Sequence, residues 1–208
     1  MSTRRHPKRR RAQPYHHGDL RRALLEAALQ TIHREGVEAV TLRGVGQQLG
    51  VSRTALYRHF ADKSALLRAV AREGFRMLRL ALVDAWDSAG RGRPGFEAMG
   101  GAYVRFAIDN PSHYRVMFGA SILGGNEDPE LAAEGGAAFQ TLVDAIVEQQ
   151  RAGLVRDDHP LQLALFIWSL VHGIAMLAID GRLGHAGTDA GTLTRYAIER
   201  TRTGIMRN

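Results

Sequence analysis

The sequence predicts an all-α protein, and three observations carry that prediction. Apolar residues recur at three- and four-residue steps along most of the 208-residue chain. No stretch shows the period-two alternation of a half-buried strand. The breaks in the pattern fall at Gly, Pro and capping residues, where helices stop and start.

The elements follow in order. Leu20, Leu24, Ala27, Ala28 and Ile32 lie on one helical face that ends before Gly36, with Asp19 as a candidate cap. The period returns at Leu42, Val45 and Leu49, then from Leu66 to Trp86 and from Phe96 to Ile108. Pro111, after Asn110, stops that last helix. A longer segment runs from Pro129 to Arg151, with Gly135 and Gly136 weakening its first half. Pro160 opens a helix reaching about Asp180, and Thr192 to Met206 forms a final one.

Composition narrows the class. The chain has 45% hydrophobic residues, enough for a core, and no Cys, which excludes disulfides and thiolate-bound zinc and fits a cytoplasmic protein. No apolar run for a signal peptide follows the basic N-terminus. Of 28 Lys and Arg, six (Arg4, Arg5, Lys8, Arg9, Arg10 and Arg11) precede the first acid, Asp19. The remaining 22 nearly balance 21 Asp and Glu, so the net charge of +7 resides in an arm. That arm is either a solvated disordered tail or one that follows an anionic polymer.

Two linkers are expected, Ser88 to Gly95 and Gly119 to Asp128, the first dividing a small N-terminal unit from a larger C-terminal one. "GRGRPG", Gly90 to Gly95, fits the dinucleotide pattern G-x-G-x-x-G, but a helix rather than a strand precedes it and Pro94 interrupts it. No cofactor is assigned. No catalytic or metal-binding set is present either: there is no Ser-His-Asp order, carboxylate pair or metal-ligand spacing.

Val40 to Leu66 carries the clearest chemistry. Thr41 caps a short helix with Leu42, Val45 and Leu49 inward and Arg43, Gln47 and Gln48 outward. Gly50 allows the left-handed turn, Val51 fills the corner and Ser52 caps a second helix. Leu56 and Phe60 point inward, leaving Ser52, Arg53, Thr54, Tyr57 and Arg58 outside, with Tyr57, His59 and Lys63 as a row of donors. This is the layout of a helix-turn-helix, whose second helix enters the major groove. The plain alternative is a helical corner with solvated cations.

"TLRGVGQQLGVSRTALYRHFADKSALL" resembles the DNA-binding signature of the TetR family of bacterial transcriptional regulators, and "YHHGDLRRALLEAAL" resembles its first helix. The resemblance covers about Tyr15 to Val70. It implies that Thr41, Tyr57, His59 and Lys63 contact phosphates, that Arg43, Arg53 and Thr54 face bases, and that Ala55 offers at most a methyl. Gly46 departs from the usual Ala, which implies a looser first helix of the motif. "NPSHYRVMFG" and "FIWSLVHGIAMLAIDG" resemble a subgroup with a Trp followed after three residues by His-Gly, here Trp168, His172 and Gly173.

Leu161 to Ile179 is apolar almost all round, so it needs cover on two sides. Its length suits a membrane span, yet charged flanks without aromatic belts favour a second copy of the chain, with Ile174 or Leu177 at the contact. Trp86, Phe106, Tyr114, Met117, Phe118, Trp168 and His172 mix apolar area with polar handles and form a candidate small-molecule site, against the alternative of ordinary core. The expected organisation is an arm (residues 1–17), a three-helix helix-turn-helix DNA-binding domain (18–63) and a helical ligand-binding and dimerisation domain (64–208, with 64–88 a connecting helix). The expected function is that of a ligand-responsive regulator, most often a repressor, that binds a double-stranded operator as a homodimer. A constitutive or architectural DNA-binding dimer, and a helical carrier or enzyme, are the alternatives.

Overall fold

The computed structural model describes residues 17–119 and 128–205, and every element among them is helical. The basic arm through residue 16, the linker residues 120–127 and Met206 lie outside the described residues. In order the helices are α1 (His17–Glu35), a 3-10 turn (Val37–Ala39), α2 (Leu42–Gln48), α3 (Arg53–Tyr57), α4 (Lys63–Ser88), α5 (Gly92–Asp109), α6 (Pro111–Met117), α7 (Pro129–Arg151), α8 (Pro160–Ile179), α9 (Arg182–His185) and α10 (Ala190–Ile205).

Short polar residues start several of the helices. The Asp62 carboxylate accepts from Ala65 N at 2.7 Å at the head of α4, and that of Asp128 from Leu131 N at 3.0 Å at the head of α7. Asp19 lies inside the first turn of α1 rather than at the residue before it, because the helix begins at His17. Pro111 does separate two helices, and it also occupies the first position of α6, where a missing N–H costs nothing. Gly135 and Gly136 do not interrupt α7, which starts at the Asp128 cap and packs on α4.

The expected linker at Ser88–Gly95 is instead a tight corner inside the C-terminal body. Gly90, Arg91 and Gly92 take φ of 82°, 60° and 55°, and α5 begins at once. Arg91 bears this backbone while its guanidinium meets Asp87 at 3.0 Å, Glu148 at 3.6 Å and the Trp86 ring at 6.0 Å. Gly95 lets α5 approach α4, since a Cβ there would lie 2.8 Å from the Trp86 carbonyl oxygen.

Helix α4 is the spine, packing on α5, α6 and α7 along its length and on α1 near its start. Arg68 reaches Asp128 at 3.3 Å, pinning α7 to it. Helix α8 packs on α5, α7 and α10. Its window of mean hydropathy 1.9 suits a membrane by length and composition, and a third of that window is buried in this protein. Leu163, Ala164, Ile167, Val171, Ile174 and Ala175 face inward. Leu161, Leu165, Phe166 and Leu177 are exposed. The two interface candidates thus separate: Leu177 is 41% exposed, whereas Ile174, at 6%, belongs to the core of its own protomer.

Candidate nucleic-acid interface and small-molecule cavity

The N-terminal unit is built on local bonds. Thr41 Oγ1 accepts from Gly44 N at 3.0 Å and Ser52 Oγ from Ala55 N at 3.2 Å, starting α2 and α3 where the sequence places them. Gly50 turns the chain at φ 64°, and Leu56 and Phe60 are buried. Gly46 fits closely rather than loosely: a Cβ there would come within 3.2 Å of Leu56. Gln48 is exposed, and its amide also donates to Thr31 Oγ1 at 3.0 Å, tying α2 to α1.

The outer surface of α2, α3 and their turn carries Thr41, Arg43, Gln47, Ser52, Arg53, Thr54, Tyr57 and Arg58, all exposed, with His59 half-buried. No acid occurs between Glu38 and Asp62, so the only formal charges these elements carry are those of Arg43, Arg53 and Arg58. The Arg53 guanidinium lies 5.5 Å from the Tyr57 ring centre, a contact that orders both without consuming the guanidinium donors. The capping oxygens of Thr41 and Ser52 are used as acceptors, and their hydroxyl hydrogens remain free to donate. Lys63 is already engaged: its amino group donates to the Glu38 carbonyl at 3.0 Å and lies 3.7 Å from the Glu38 carboxylate.

In the body, α4, α5, α7, α8 and α10 enclose a cavity of about 290 Å³. Phe75, Leu78 and Leu82 line it from α4, Met99 and Tyr103 from α5, Phe139 and Leu142 from α7, Trp168 and Val171 from α8, and Ile198 from α10, with Phe118 at the end of α6. Glu97, Thr201 and the exposed Arg202 also border it. Two of the seven residues expected at a ligand site line this cavity, Phe118 and Trp168. Trp86 and Phe106 do not, being buried elsewhere in the core, Trp86 against Gly95. Met117 is buried against Gly74.

Tyr114 and His172 stand behind the wall. The Tyr114 hydroxyl lies 2.7 Å from His172 Nδ1 and 3.0 Å from the Tyr103 hydroxyl, which receives the Trp168 indole N–H at 2.9 Å. Burial pushes the Tyr103 hydroxyl up to about 12 and raises that of Tyr114 further, while burial lowers His172, so all three are neutral near pH 7. His172 therefore answers to two tyrosines rather than to the cavity. Tyr103, Phe75 and Phe139 were not anticipated. The spacing of Phe96, Met99 and Tyr103 around Gly100 was the available signal: one apolar helix face with a gap in it.

Among the described residues, no group of three or more His, Asp or Glu is placed to hold a metal ion. His113 is buried with its Nε2 unpaired, 3.9 Å from a Glu73 carboxylate oxygen; burial lowers its pKa against the opposing pull of Glu73.

Two family models match separate parts of the chain. Residues 24–70 match the family described as bacterial regulatory proteins, tetR family, and residues 96–201 match the tetracyclin repressor-like C-terminal domain. Over 177 residues the chain is 30% identical to an uncharacterised HTH-type transcriptional regulator of Mycobacterium tuberculosis, spanning 82% of this chain and 75% of that one. A protein of unknown function from Rhodococcus sp. RHA1 is similar at a TM-score of 0.84 and 34% identity, over 94% of this chain and all of that one. A TetR family transcription regulator from Marinobacter aquaeolei VT8 shares the fold at 0.68 and 20%, over 90% and 96% of the two chains. The chain belongs to the TetR family of bacterial transcriptional regulators, with a helix-turn-helix DNA-binding unit followed by a helical C-terminal domain.

Proposed function

We propose that the protein is a repressor that binds a pseudo-palindromic operator as a homodimer and is released from it by a small molecule held in the cavity. The observation that carries this reading is the double use of α8. One side of it, with Trp168 and Val171, walls the cavity; the other exposes Leu161, Phe166 and Leu177. An exposed apolar stripe of this kind is stabilised by a second copy across a twofold axis, with α10 beside it. A ligand against one side of α8 then bears on the packing of the other.

The link to DNA runs through α6, which packs on α1 of the N-terminal unit and carries Tyr114 into the network beside the cavity. Arg115, on the same helix, donates to the Ile179 carbonyl at 2.9 Å and meets Asp180 at 3.1 Å, coupling α6 to the end of α8. In the dimer the two α3 helices enter successive major grooves about 34–36 Å apart. Arg43, Arg53 and Thr54 face bases there. Thr41, Ser52, Tyr57, Arg58 and His59 contact the backbone, with the basic arm following it. Lys63 serves the phosphates from a position fixed by Glu38. A ligand that favours a different separation of the heads lowers affinity by shifting the population.

Selection of bound DNA from a random pool, followed by footprinting, tests the reading. A recovered palindrome supports it. Monomeric or sequence-independent binding overturns it. A palindrome that no cavity-binding molecule releases leaves a constitutive dimer in its place.

A further inference from the structure

The cavity wall is aromatic and apolar, with faces from Phe75, Phe118, Phe139 and Trp168. Phe75 meets Phe118 edge-on at 5.4 Å, and Phe139 meets Trp168 at 5.8 Å, leaving ring surfaces suited to a flat aromatic guest. An engineered cavity of about 150 Å³ takes benzene, so this one suits a guest of about two fused rings. The two charged side chains that border the cavity, Arg202 and Glu97, are exposed and half-exposed, so neither is a buried partner. A charged guest would lose its water without gaining a buried partner.

The network beside the wall decides which polar group such a guest carries. Trp168 Nε1 can only donate, and it donates to the Tyr103 oxygen. Neutral His172 has one N–H, and the hydroxyls of Tyr103 and Tyr114 have one hydrogen each. Two kinds of arrangement satisfy these counts. With Nδ1 bare, one tyrosine donates to it, Tyr114 from 2.7 Å or Tyr103 from 3.3 Å, and the other donates to that tyrosine, so every hydrogen is used within the network. With the hydrogen on Nδ1, His172 donates to Tyr114, and Tyr114 to Tyr103. The Tyr103 oxygen then receives two donors, and its own hydrogen is left for the cavity that Tyr103 lines.

A donor left bare against an apolar wall is costly, so the first arrangement suits the empty cavity. An acceptor on the guest removes that cost and favours the second. His172 Nε2 can take either role, since it has no partner among the described residues and is not among their sealed, unpaired atoms.

Resting on the reading of this cavity as the effector site, we propose that its occupant is an uncharged, mainly aromatic molecule of about two fused rings bearing one hydrogen-bond-accepting oxygen, and that Tyr103 recognises that oxygen. His172 and Tyr114 act as positioning residues that release the Tyr103 hydrogen when the oxygen arrives.

The test compares three probes of one shape on the full-length protein by calorimetry: 2-acetylnaphthalene, 2-isopropenylnaphthalene, which lacks the acceptor, and 2-naphthoate, which is charged. The expected result is that the ketone binds about three- to tenfold more tightly than the hydrocarbon, the worth of one neutral hydrogen bond, and that naphthoate binds least. Tyr103→Phe should erase the preference for the ketone while keeping hydrocarbon binding. Because that variant also removes the partner of Trp168, a second readout uses wild-type protein. With 15N-histidine labelling, the His172 signal, assigned by its loss in His172→Gln, should change from bare Nδ1 to Nδ1–H with the ketone and not with the hydrocarbon. Equal binding of ketone and hydrocarbon overturns the role of Tyr103 and leaves the cavity reading standing. So does a ketone preference with an unmoved His172 signal. Tightest binding by naphthoate overturns the uncharged class. Failure of all three probes to bind overturns the cavity reading as well.

Discussion

In the N-terminal unit the bonds that start the helices join near neighbours, whereas the polar network beside the cavity joins residues far apart in the chain. Thr41 to Gly44, Ser52 to Ala55 and Asp62 to Ala65 each span three residues. Around the cavity, Tyr114 meets His172 across 58 positions and Trp168 meets Tyr103 across 65. The first unit presents charge to solvent on short helices. The second hides neutral polar groups behind aromatic rings. Local bonding gives the outer surface residues whose removal leaves the fold standing, whereas around the cavity recognition and stability share the same atoms.

The largest test of that contrast lies on α8, where buried and exposed apolar residues alternate. Ile174→Arg places an unpaired charge in the protomer core and should cost several kcal/mol, enough to unfold much of the protein. Phe166→Arg and Leu177→Arg place the same charge on exposed positions, so melting of the protomer should be retained while the dimer is lost. Sedimentation and thermal melting on the three variants separate these outcomes. A full dimer in both exposed-site variants would move the interface elsewhere.

On the DNA side the effect should appear in binding and not in stability. Arg53 touches only the Tyr57 ring, so Arg53→Ala should leave the melting temperature nearly unmoved and relax one symmetric operator position, costing about 1–3 kcal/mol of affinity. Lys63→Ala should behave differently, weakening all sequences alike and also releasing the 3-10 turn at Glu38. An unchanged selected-site profile for Arg53→Ala would remove that residue from base reading.

The same contrast governs how much the sequence disclosed. The caps at Thr41 and Ser52, the turn at Gly50 and the inward Leu56 and Phe60 were legible because each follows from residue type at a fixed offset. Helix α8 was legible from its apolar run, and Trp168 and Phe118 from their chemistry. Tyr103 and Phe139 were not, since nothing at those positions says which distant helix they will meet. Trp86 and Met117 look identical to pocket residues in sequence. Only the close approaches at Gly95 and Gly74 make them core. Gln48 is exposed as its position implies, but its bond to Thr31 was not legible because Thr31 belongs to another helix.

Acid should trouble the body before the head. His172 and His113 both have folded pKa values lowered by burial below the unfolded value of about 6.5, so the unfolded chain binds more protons. Their contribution to stability is fully present above about pH 6.5 and is lost as the pH falls below it toward the folded values. Melting temperature should therefore decline on acidification from pH 7, and His172→Gln should flatten that decline. An identical pH profile in the variant would show that His172 does not carry the linkage.

The smallest expected effect concerns two adjacent glycines in α7 that differ only in what they face. Gly136 is exposed in a helix interior with open space around it, so Gly136→Ala loses no contact and gains helix propensity, about 0.5–1 kcal/mol. For a chain of this size that is about 1–4 °C in melting temperature. Gly135 lines the cavity, and a Cβ there would rest 3.7 Å from Phe75 in ordinary contact. Gly135→Ala should thus gain similar stability while narrowing the cavity against Phe75, and Gly136→Ala should leave ligand binding unchanged. Thermal melting together with calorimetric titration of 2-acetylnaphthalene on both variants reads the difference. Equal loss of ligand binding in the two would mean that the helix as a whole, rather than the wall at Phe75, sets the size of the cavity.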